Sequence, residues 1–237
     1  MKLSAPIFRL KRQAKLLART ERIQLAAALD RIARQEGYAA WSHLAHRQTA
    51  NDPAQNILNA LTPGDLVLLG ARPGHGKTTL GLQLVLNAVS SGRTGCFFTL
   101  EMLNRDVLHT LRSLGADPDR VASSLVIDTS DDINADHIIS IVRAAPSNAL
   151  AVVDYLQLLD QKRSNPDLDT QVSALRNFAR TSGQTIVLTS QIDRIFEAEG
   201  RSMPGLSDVR LPNPLDLSLF TKTCFLHEGE IEISKAA

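Results

Sequence analysis

The ten residues GARPGHGKTT, Gly70 to Thr79, hold the pattern that decides the fold. A loop that binds a phosphate must turn several backbone N–H groups toward one point, and glycines allow that turn. Gly74 and Gly76 supply it here. The consensus G-x-x-x-x-G-K-[ST] places its first glycine where this chain has Ala71, with Gly70 one residue earlier. The stretch is therefore a variant of a phosphate-binding loop.

The sequence on either side of this stretch fits such a loop. The apolar run DLVLLGA at 65–71 is typical of a parallel strand buried on both faces, and TTLGLQLVLNAVSSG at 78–92 predicts a helix. The helix N-terminus and Lys77 would attract phosphates, and the Thr78 hydroxyl would ligate Mg²⁺. The alternative is a glycine turn with a surface lysine, but strand, loop and helix all agree with the first interpretation. The predicted nucleotide-binding residues are Arg72, Pro73, Gly74, His75, Gly76, Lys77, Thr78 and Thr79.

Composition sets the size and class of the protein. The chain has 237 residues, of which 43% are hydrophobic and 22% charged, as expected for one or two globular domains. The N-terminus lacks the apolar core of a signal peptide and no run is long enough to span a bilayer, so we expect a cytoplasmic protein without a membrane partner. Cys96 and Cys224 lie in apolar, strand-like runs and are expected to be buried thiols.

The charge divides the chain into two parts. Residues 1–50 hold ten Lys or Arg and three Asp or Glu, a net charge of +7, so a total of +1 leaves −6 for the remainder. Helical periodicity over 8–20 and 21–37, with a third segment at 38–47, predicts a small basic helical module at 1–50 and a second domain at 51–237. The module either binds nucleic acid or a protein, or caps the second domain with a solvated basic face.

Three further polar residues follow predicted strands. Asp154 ends the run ALAVV and is expected to hold Mg²⁺ through water, as phosphoryl transfer requires. Glu101 follows GCFFTL and is placed to polarise an attacking water, although a glutamate after a strand is often only a cap. Gln191, at the end of TIVLTS, is placed to contact a γ-phosphate. Five apolar runs separated by helical segments predict a doubly wound α/β sheet.

The motifs GARPGHGKTT, TLEM, VVDYLQLL, TSQIDR and SDVR, in this order over about residues 55–230, resemble the RecA-like C-terminal domain of DnaB-type replicative helicases. The resemblance implies a RecA-like P-loop NTPase with a mainly parallel sheet flanked by helices, here preceded by a small helical module. It implies ATP and Mg²⁺ as ligands, single-stranded DNA as a partner, and a DNA-facing loop that contains Lys162 and Arg163. It assigns nucleotide and metal binding to Lys77 and Thr78, the Walker B role to Asp154, the catalytic base to Glu101 and the γ-phosphate sensor to Gln191.

Two departures from this family leave two functions open. The first fifty residues do not resemble the family's N-terminal domain, and no Lys-x-Arg pair follows Ile233, where family members carry one that reaches the neighbouring subunit's ATP. Arg210 and Lys222 are candidate substitutes, and a homo-oligomer or a partner protein is expected to complete the site. The chain is predicted to be a DnaB-like ATPase coupled to single-stranded DNA. The alternative is an ATP-binding switch or adaptor that hydrolyses ATP weakly and acts on a protein partner.

Overall fold

A computed structural model describes residues 3–5, 7–44, 52–146, 148–160, 165–211 and 213–236. The chain forms two compact units, Met1–Asp52 and Pro53–Ala237. Among the helices within these ranges, none is both long and apolar enough to cross a membrane.

The first unit is built on two helices, α1 (Ile7–Glu21) and α2 (Leu25–Gln35), followed by helical residues at 41–44. Its core is small, and its buried side chains are Leu10, Ala14, Ala28, Ile32, Ala33 and Leu44. The second helix begins four residues later than the sequence pattern predicts, because the chain turns at Arg22, whose φ is +52°. Within α2, Ala28 is buried, whereas Ala26 and Ala27 are exposed.

The second unit contains one seven-stranded sheet in the order β3-β2-β4-β5-β1-β6-β7. Every neighbouring pair is parallel except β6 and β7. The strands are β1 (Leu66–Ala71), β2 (Gly95–Thr99), β3 (Leu125–Asp128), β4 (Leu150–Asp154), β5 (Thr185–Gln191), β6 (Lys222–His227) and β7 (Glu230–Lys235). The predicted class, a mainly parallel sheet flanked by helices, is confirmed.

Helices and short helical turns cover both faces of this sheet, which is why β1, β2 and β4 are buried along their whole length. The α-helices are α3 (Pro53–Ala60), α4 (Lys77–Ser90), α5 (Asn104–Ser113), α6 (Pro118–Val121), α7 (Ala135–Ala144), α8 (Leu168–Ser182) and α9 (Ile195–Ala198). Short 3₁₀ turns occur at Leu156–Asp160, Leu206–Asp208 and Leu217–Leu219. One apolar cluster joins α3, α4 and α5 to the sheet, and a second cluster joins α7 and α8 to it.

The register of the strands brings the predicted site residues to one edge of the sheet. Thr99 at the end of β2 pairs with Asp154 at the end of β4, and Ala71 at the end of β1 pairs with Gln191 at the end of β5. Because parallel strands all end at the same edge, the residues that follow them lie close together. This edge is where open α/β sheets bind their ligands.

The strands β6 and β7 form a hairpin that the sequence reasoning did not identify. Glu228 and Gly229 form its two-residue turn, and both have positive φ, +47° and +84°, as a tight hairpin turn requires. The sequence does carry a signal for it, because in EIEISK the two isoleucines, Ile231 and Ile233, alternate with polar residues. Cys224 lies in β6, and burial raises the pKa of its thiol to about 12.

The structure explains why a glycine stands one residue before the consensus position. A Cβ atom on Gly70 would lie 2.7 Å from Cδ1 of Phe225 and 2.8 Å from Cδ1 of Ile192, closer than real Cβ contacts allow. Ala71, by contrast, is an ordinary residue of β1, and its φ does not lie in the left-handed region. Packing against β6 therefore fixes the glycine at position 70, and the loop itself does not require one at position 71.

Gly70→Ala is expected to lower the free energy of unfolding by about 1–3 kcal/mol, the usual cost of overfilling a packed core. Urea denaturation followed by circular dichroism measures the change. Ala71→Gly is the matched control: it restores the consensus glycine without any overlap and is expected to cost about 1 kcal/mol or less. A Gly70→Ala variant as stable as the wild type would contradict this explanation.

Candidate functional site

The loop between β1 and α4 has the backbone that phosphate binding needs. Gly74 and Gly76 have φ of +78° and +89°, in the left-handed region where glycine is favoured. A Cβ atom on either would meet nothing within 4 Å, so conformation and not space selects glycine at both positions. Gly76 is the N-cap of α4, and the N–H groups of the first turn have no partner within the helix. They form a ready anion site at the sheet edge.

Lys77, the first residue of α4, stands between two carboxylates. Its Nζ lies 3.4 Å from Oε2 of Glu101 and 3.4 Å from Oδ1 of Asp154, and its side chain is only 8% exposed. The Nζ also lies 5.0 Å from the ring centroid of Tyr155. The two carboxylates neutralise the lysine, and the arrangement leaves its ammonium free to exchange one anionic partner for another.

Asp154 is completely buried. Its Oδ1 accepts a hydrogen bond from the Thr189 hydroxyl at 2.6 Å and also approaches Lys77. Its Oδ2 is buried and has no hydrogen-bond partner in the described part of the chain. A buried, unpaired carboxylate oxygen is costly unless a ligand satisfies it, and an Mg²⁺ ion with its waters is a suitable one. The residues present therefore fit the predicted metal.

The loop opens onto a cavity of about 360 Å³. Glu101 forms one wall, with its side chain 40% exposed, and Gln191 at the end of β5 forms another. Thr78 and Thr79 come from the first turn of α4. The lining consists of residues predicted from sequence: Pro73, Gly74, Gly76, Lys77, Thr78, Thr79, Glu101 and Gln191. The arrangement can hold a phosphate chain and place a carboxylate beside it.

Two predicted binding residues direct their side chains elsewhere. Arg72 forms an ion pair with Glu197 of α9, and the His75 ring stacks on His227 with centroids 5.6 Å apart and planes at 10°. Both side chains line a separate cavity of about 450 Å³. Only their main-chain groups remain available to a nucleotide in the loop. Lys162 and Arg163, the predicted DNA contacts, lie outside the described residues.

Sequence reasoning missed the residues that hold the site in place. Thr189, two positions before Gln191 in β5, donates to Asp154, and its place on the same side of the strand was the available signal. Gln157 donates to the main-chain oxygen of Arg210 at 2.6 Å, and the Arg210 N–H donates to the main-chain oxygen of Gln191 at 2.9 Å. The loop that bears Arg210 is thereby held beside Gln191.

Lys222, like Arg210 a candidate substitute for the family's Lys-x-Arg pair, lies at the end of the sheet opposite the phosphate loop. It is the first residue of β6 and pairs in register with Val67 near the start of β1. Its Nζ donates to the Asp65 carboxylate and to the Ala60 carbonyl, both at 2.6 Å. Burial of the Asp65 carboxyl acts to raise its pKa, but the contact with Lys222, together with hydrogen bonds from Thr62 and Thr221, holds that pKa below its ordinary value. Lys222 has a structural role within its own chain.

The parallel sheet, the loop and the strand-end carboxylates define a RecA-like P-loop ATPase domain. The family described as "ATPase: KaiC" matches residues 55–211, and the chain belongs to it. The chain is also homologous to replicative DNA helicases of the DnaB type, which confirms the predicted resemblance. It is 25% identical to DnaB of Helicobacter pylori strain J99 over 76% of this chain and 44% of the relative. It is 27% identical to DnaB of Mycoplasma pneumoniae over 67% and 41%.

The chain thus spans less than half the length of these two relatives. Solved structures agree with the fold. A KaiC-like protein from Pyrococcus horikoshii OT3 matches with a TM-score of 0.54 at 20% identity, over 73% of this chain and 79% of that one. A DnaB-like replicative helicase, described with its interactions with primase, matches with a TM-score of 0.58 at 17% identity, over 96% of this chain and 72% of that one.

Proposed function

We propose that the protein binds ATP with Mg²⁺ in the 360 Å³ cavity and hydrolyses it. The observation that carries the proposal is Lys77, held at 3.4 Å from both Glu101 and Asp154 at the foot of the phosphate loop. Membership of an ATPase family supports it. In this arrangement Lys77 would bind the phosphates of ATP, Asp154 would bind the metal ion, and Glu101 would act as the base.

Each residue then has a separate task. Lys77 leaves the carboxylates and contacts the β- and γ-phosphates, while the N–H groups of the loop bind their oxygens. Thr78 and the free oxygen of Asp154 would hold Mg²⁺, which neutralises charge that develops on the phosphates. Glu101, released from Lys77, accepts a proton from the attacking water. Gln191 contacts the γ-phosphate and loses that contact when the phosphate leaves.

Single-stranded DNA is the proposed macromolecular partner of this domain. The support is homology to DNA helicases, whose names state that they act in DNA replication. Lys162 and Arg163, in the segment after β4, are the proposed phosphate contacts. We also propose that residues 1–50 form a separate module, that 51–237 form the ATPase domain, and that the protein works in the cytoplasm.

The experiment that tests this function compares ATP turnover by the purified full chain with and without a single-stranded oligonucleotide. Lys162→Ala/Arg163→Ala is expected to reduce the stimulation by DNA and to leave the basal rate unchanged. A duplex of the same sequence serves as the control ligand. If the protein binds no oligonucleotide and DNA does not change its rate of turnover, DNA is not a partner of this ATPase. That result would favour the ATP-binding switch or adaptor.

Turnover is also expected to depend on assembly. Lys77 is the only cationic side chain among the residues that line the cavity, all of which the structure describes. A cation supplied by a neighbouring molecule is worth about 10³ to 10⁵ in rate in phosphoryl transfer. Arg210, exposed and bonded through its N–H to Gln191, is the proposed source within a second copy.

The rate per molecule is therefore expected to rise with protein concentration as oligomers form. The measurement is phosphate release over a wide concentration range, alongside mass in solution with ATP. Arg210→Ala is expected to oligomerise normally and to show a much smaller rise. Fast hydrolysis that does not vary with concentration, from a species shown to be monomeric, would contradict the expectation.

A further inference from the structure

The first unit carries an open apolar groove between α1 and α2 that its own core does not fill. The groove encloses about 830 Å³. Three apolar side chains line it, Leu16 and Leu17 of α1 and Ile32 of α2, together with the polar residues Arg12, Gln13, Thr20 and Gln35. Leu16 is 61% exposed, although its side chain is large and apolar.

Leu16 is not explained by the packing of α1 within the unit. The residues of α1 that enter the core are Leu10 and Ala14, which are 1% and 0% exposed. Leu16 lies two positions past Ala14, about 200° around the helix, and so belongs to a different face. Single exposed leucines are common, but this one lies in a groove with two further apolar side chains.

One cation, Arg12, lines the groove, and a row of further cations lies on the adjoining side of α1. Lys11, Lys15 and Arg19 follow one another at intervals of four residues along α1, so they lie on one side of the helix. All three are exposed and form no ion pair with a described residue. Arg12 is likewise exposed and unpaired among those residues.

Three acidic residues of the unit, Glu21, Asp30 and Glu36, are engaged in contacts within its own fold. Glu21 pairs with Arg31 at 2.5 Å. Asp30 accepts a hydrogen bond from the N–H of Trp41 at 2.8 Å, and Glu36 accepts one from the N–H of Ser4 at 2.7 Å. None of them contacts the basic residues of α1 in the described part of the unit. The cations beside the groove therefore remain available to a partner.

We propose that this groove binds an acidic amphipathic α-helix of a partner protein. An apolar groove between two packed helices can bind a third helix. Apolar residues at positions i, i+3, i+4 and i+7 of that helix would cover Leu16, Leu17 and Ile32. Glutamates or aspartates flanking its apolar stripe would meet Arg12, Lys15 and Arg19. Rim ion pairs of this kind select the partner's charge and speed association more than they add affinity.

The lining of the groove favours a protein helix over nucleic acid. Proteins that bind single strands place aromatic side chains where bases stack, and none of the described residues that line this groove is aromatic. Tyr38 and Trp41 pack against the core of the unit. An exposed leucine offers nothing to a phosphate backbone, whereas it suits the apolar stripe of a helix.

The test is a selection from a displayed library of helical peptides, with the full chain as bait. Apolar residues are fixed at i, i+3, i+4 and i+7, and the flanking positions vary between Glu and Lys. Glu-rich sequences are expected to be enriched. A synthetic copy of the best sequence is then titrated by fluorescence anisotropy, and its affinity is expected to fall as salt rises.

Two sets of variants locate the binding. Leu16→Asp is expected to weaken the peptide at least about tenfold, which corresponds to about 1.4 kcal/mol. Leu25→Asp is the matched control, because Leu25 is 42% exposed in the same unit and does not line the groove; it should leave the affinity unchanged. In Arg12→Glu/Lys15→Glu the selection is expected to reverse and to enrich Lys-rich sequences. Circular dichroism verifies that each variant is folded.

Several results would overturn the proposal. An acidic helix in this groove would be excluded if no peptide is enriched, or if Glu-rich and Lys-rich peptides are enriched equally. It would also be excluded if the selected peptide binds Leu16→Asp as tightly as the wild type. Binding of an oligo-dT strand that Lys11→Glu/Lys15→Glu abolishes, with no peptide enriched, would make the surface a nucleic-acid site. Self-association that Leu16→Asp abolishes, again with no peptide enriched, would make the occupant a second copy.

Discussion

Glu101→Gln is expected to leave ATP binding intact and to slow hydrolysis by about a hundredfold or more, up to about 10⁴-fold. The amide has the shape of the carboxylate but cannot accept a proton from the attacking water. Glu101 follows β2 at the cavity wall, and its side chain is 40% exposed, so the replacement fills the same space without disturbing the core. Affinity is expected to stay the same or rise, because one negative charge near the phosphates is removed.

Single-turnover hydrolysis and equilibrium binding of ATP separate the two effects. Glu230→Gln is the matched control. Glu230 is the first residue of β7 and lines the separate cavity of about 450 Å³, not the cavity that would hold the phosphates. It should turn over ATP at the wild-type rate. Unchanged turnover in Glu101→Gln would assign Glu101 a structural role only.

Lys77→Ala is expected to weaken ATP binding by at least about a hundredfold, or about 3 kcal/mol, because charge-assisted hydrogen bonds to several phosphate oxygens are lost. The substitution also removes the cation beside Asp154, which is completely buried. A buried carboxylate without its partner is destabilising, so the variant is expected to unfold at a lower temperature than the wild type.

The double variant Lys77→Ala/Asp154→Asn separates the two consequences of that substitution. Replacing Asp154 with Asn removes the unpaired charge, so thermal stability is expected to recover, while ATP binding remains lost. Isothermal titration with ATP and a thermal scan measure both. Wild-type affinity in a folded Lys77→Ala protein would show that the loop does not bind phosphates through this lysine.

The sheet and the phosphate cavity could be predicted because their signals are local. Buried parallel strands are continuous apolar runs, as in LVLLGA of β1, and the positions that follow such strands share one edge. Lys77, Glu101 and Asp154 are therefore brought together by topology alone, although 77 residues separate the first from the last. Gly74 and Gly76 could be predicted from the spacing of the phosphate-loop motif, and their positive φ values explain why glycine stands there.

The direction of Arg72 and His75 could not be predicted, because it depends on residues far along the chain. Arg72 is turned by Glu197, 125 residues away, and His75 by a stack on His227 in a hairpin that had not been identified. Gly70 was assigned to the loop motif by proximity, whereas its neighbour across the sheet, Phe225, is what requires it. Contacts of this kind depend on which strands are neighbours in the sheet. The sequence around each residue does not show which strand that neighbour is.

The most direct test of the proposed ATPase is Mg²⁺-dependent phosphate release from ATP by the purified full chain, measured in parallel with Lys77→Ala and Glu101→Gln. The prediction is that the wild type releases phosphate only with Mg²⁺, that Glu101→Gln binds ATP and releases phosphate at least about a hundredfold more slowly, and that Lys77→Ala does neither. Equal rates in all three preparations, or a folded wild-type protein that neither binds nor hydrolyses ATP, would contradict it.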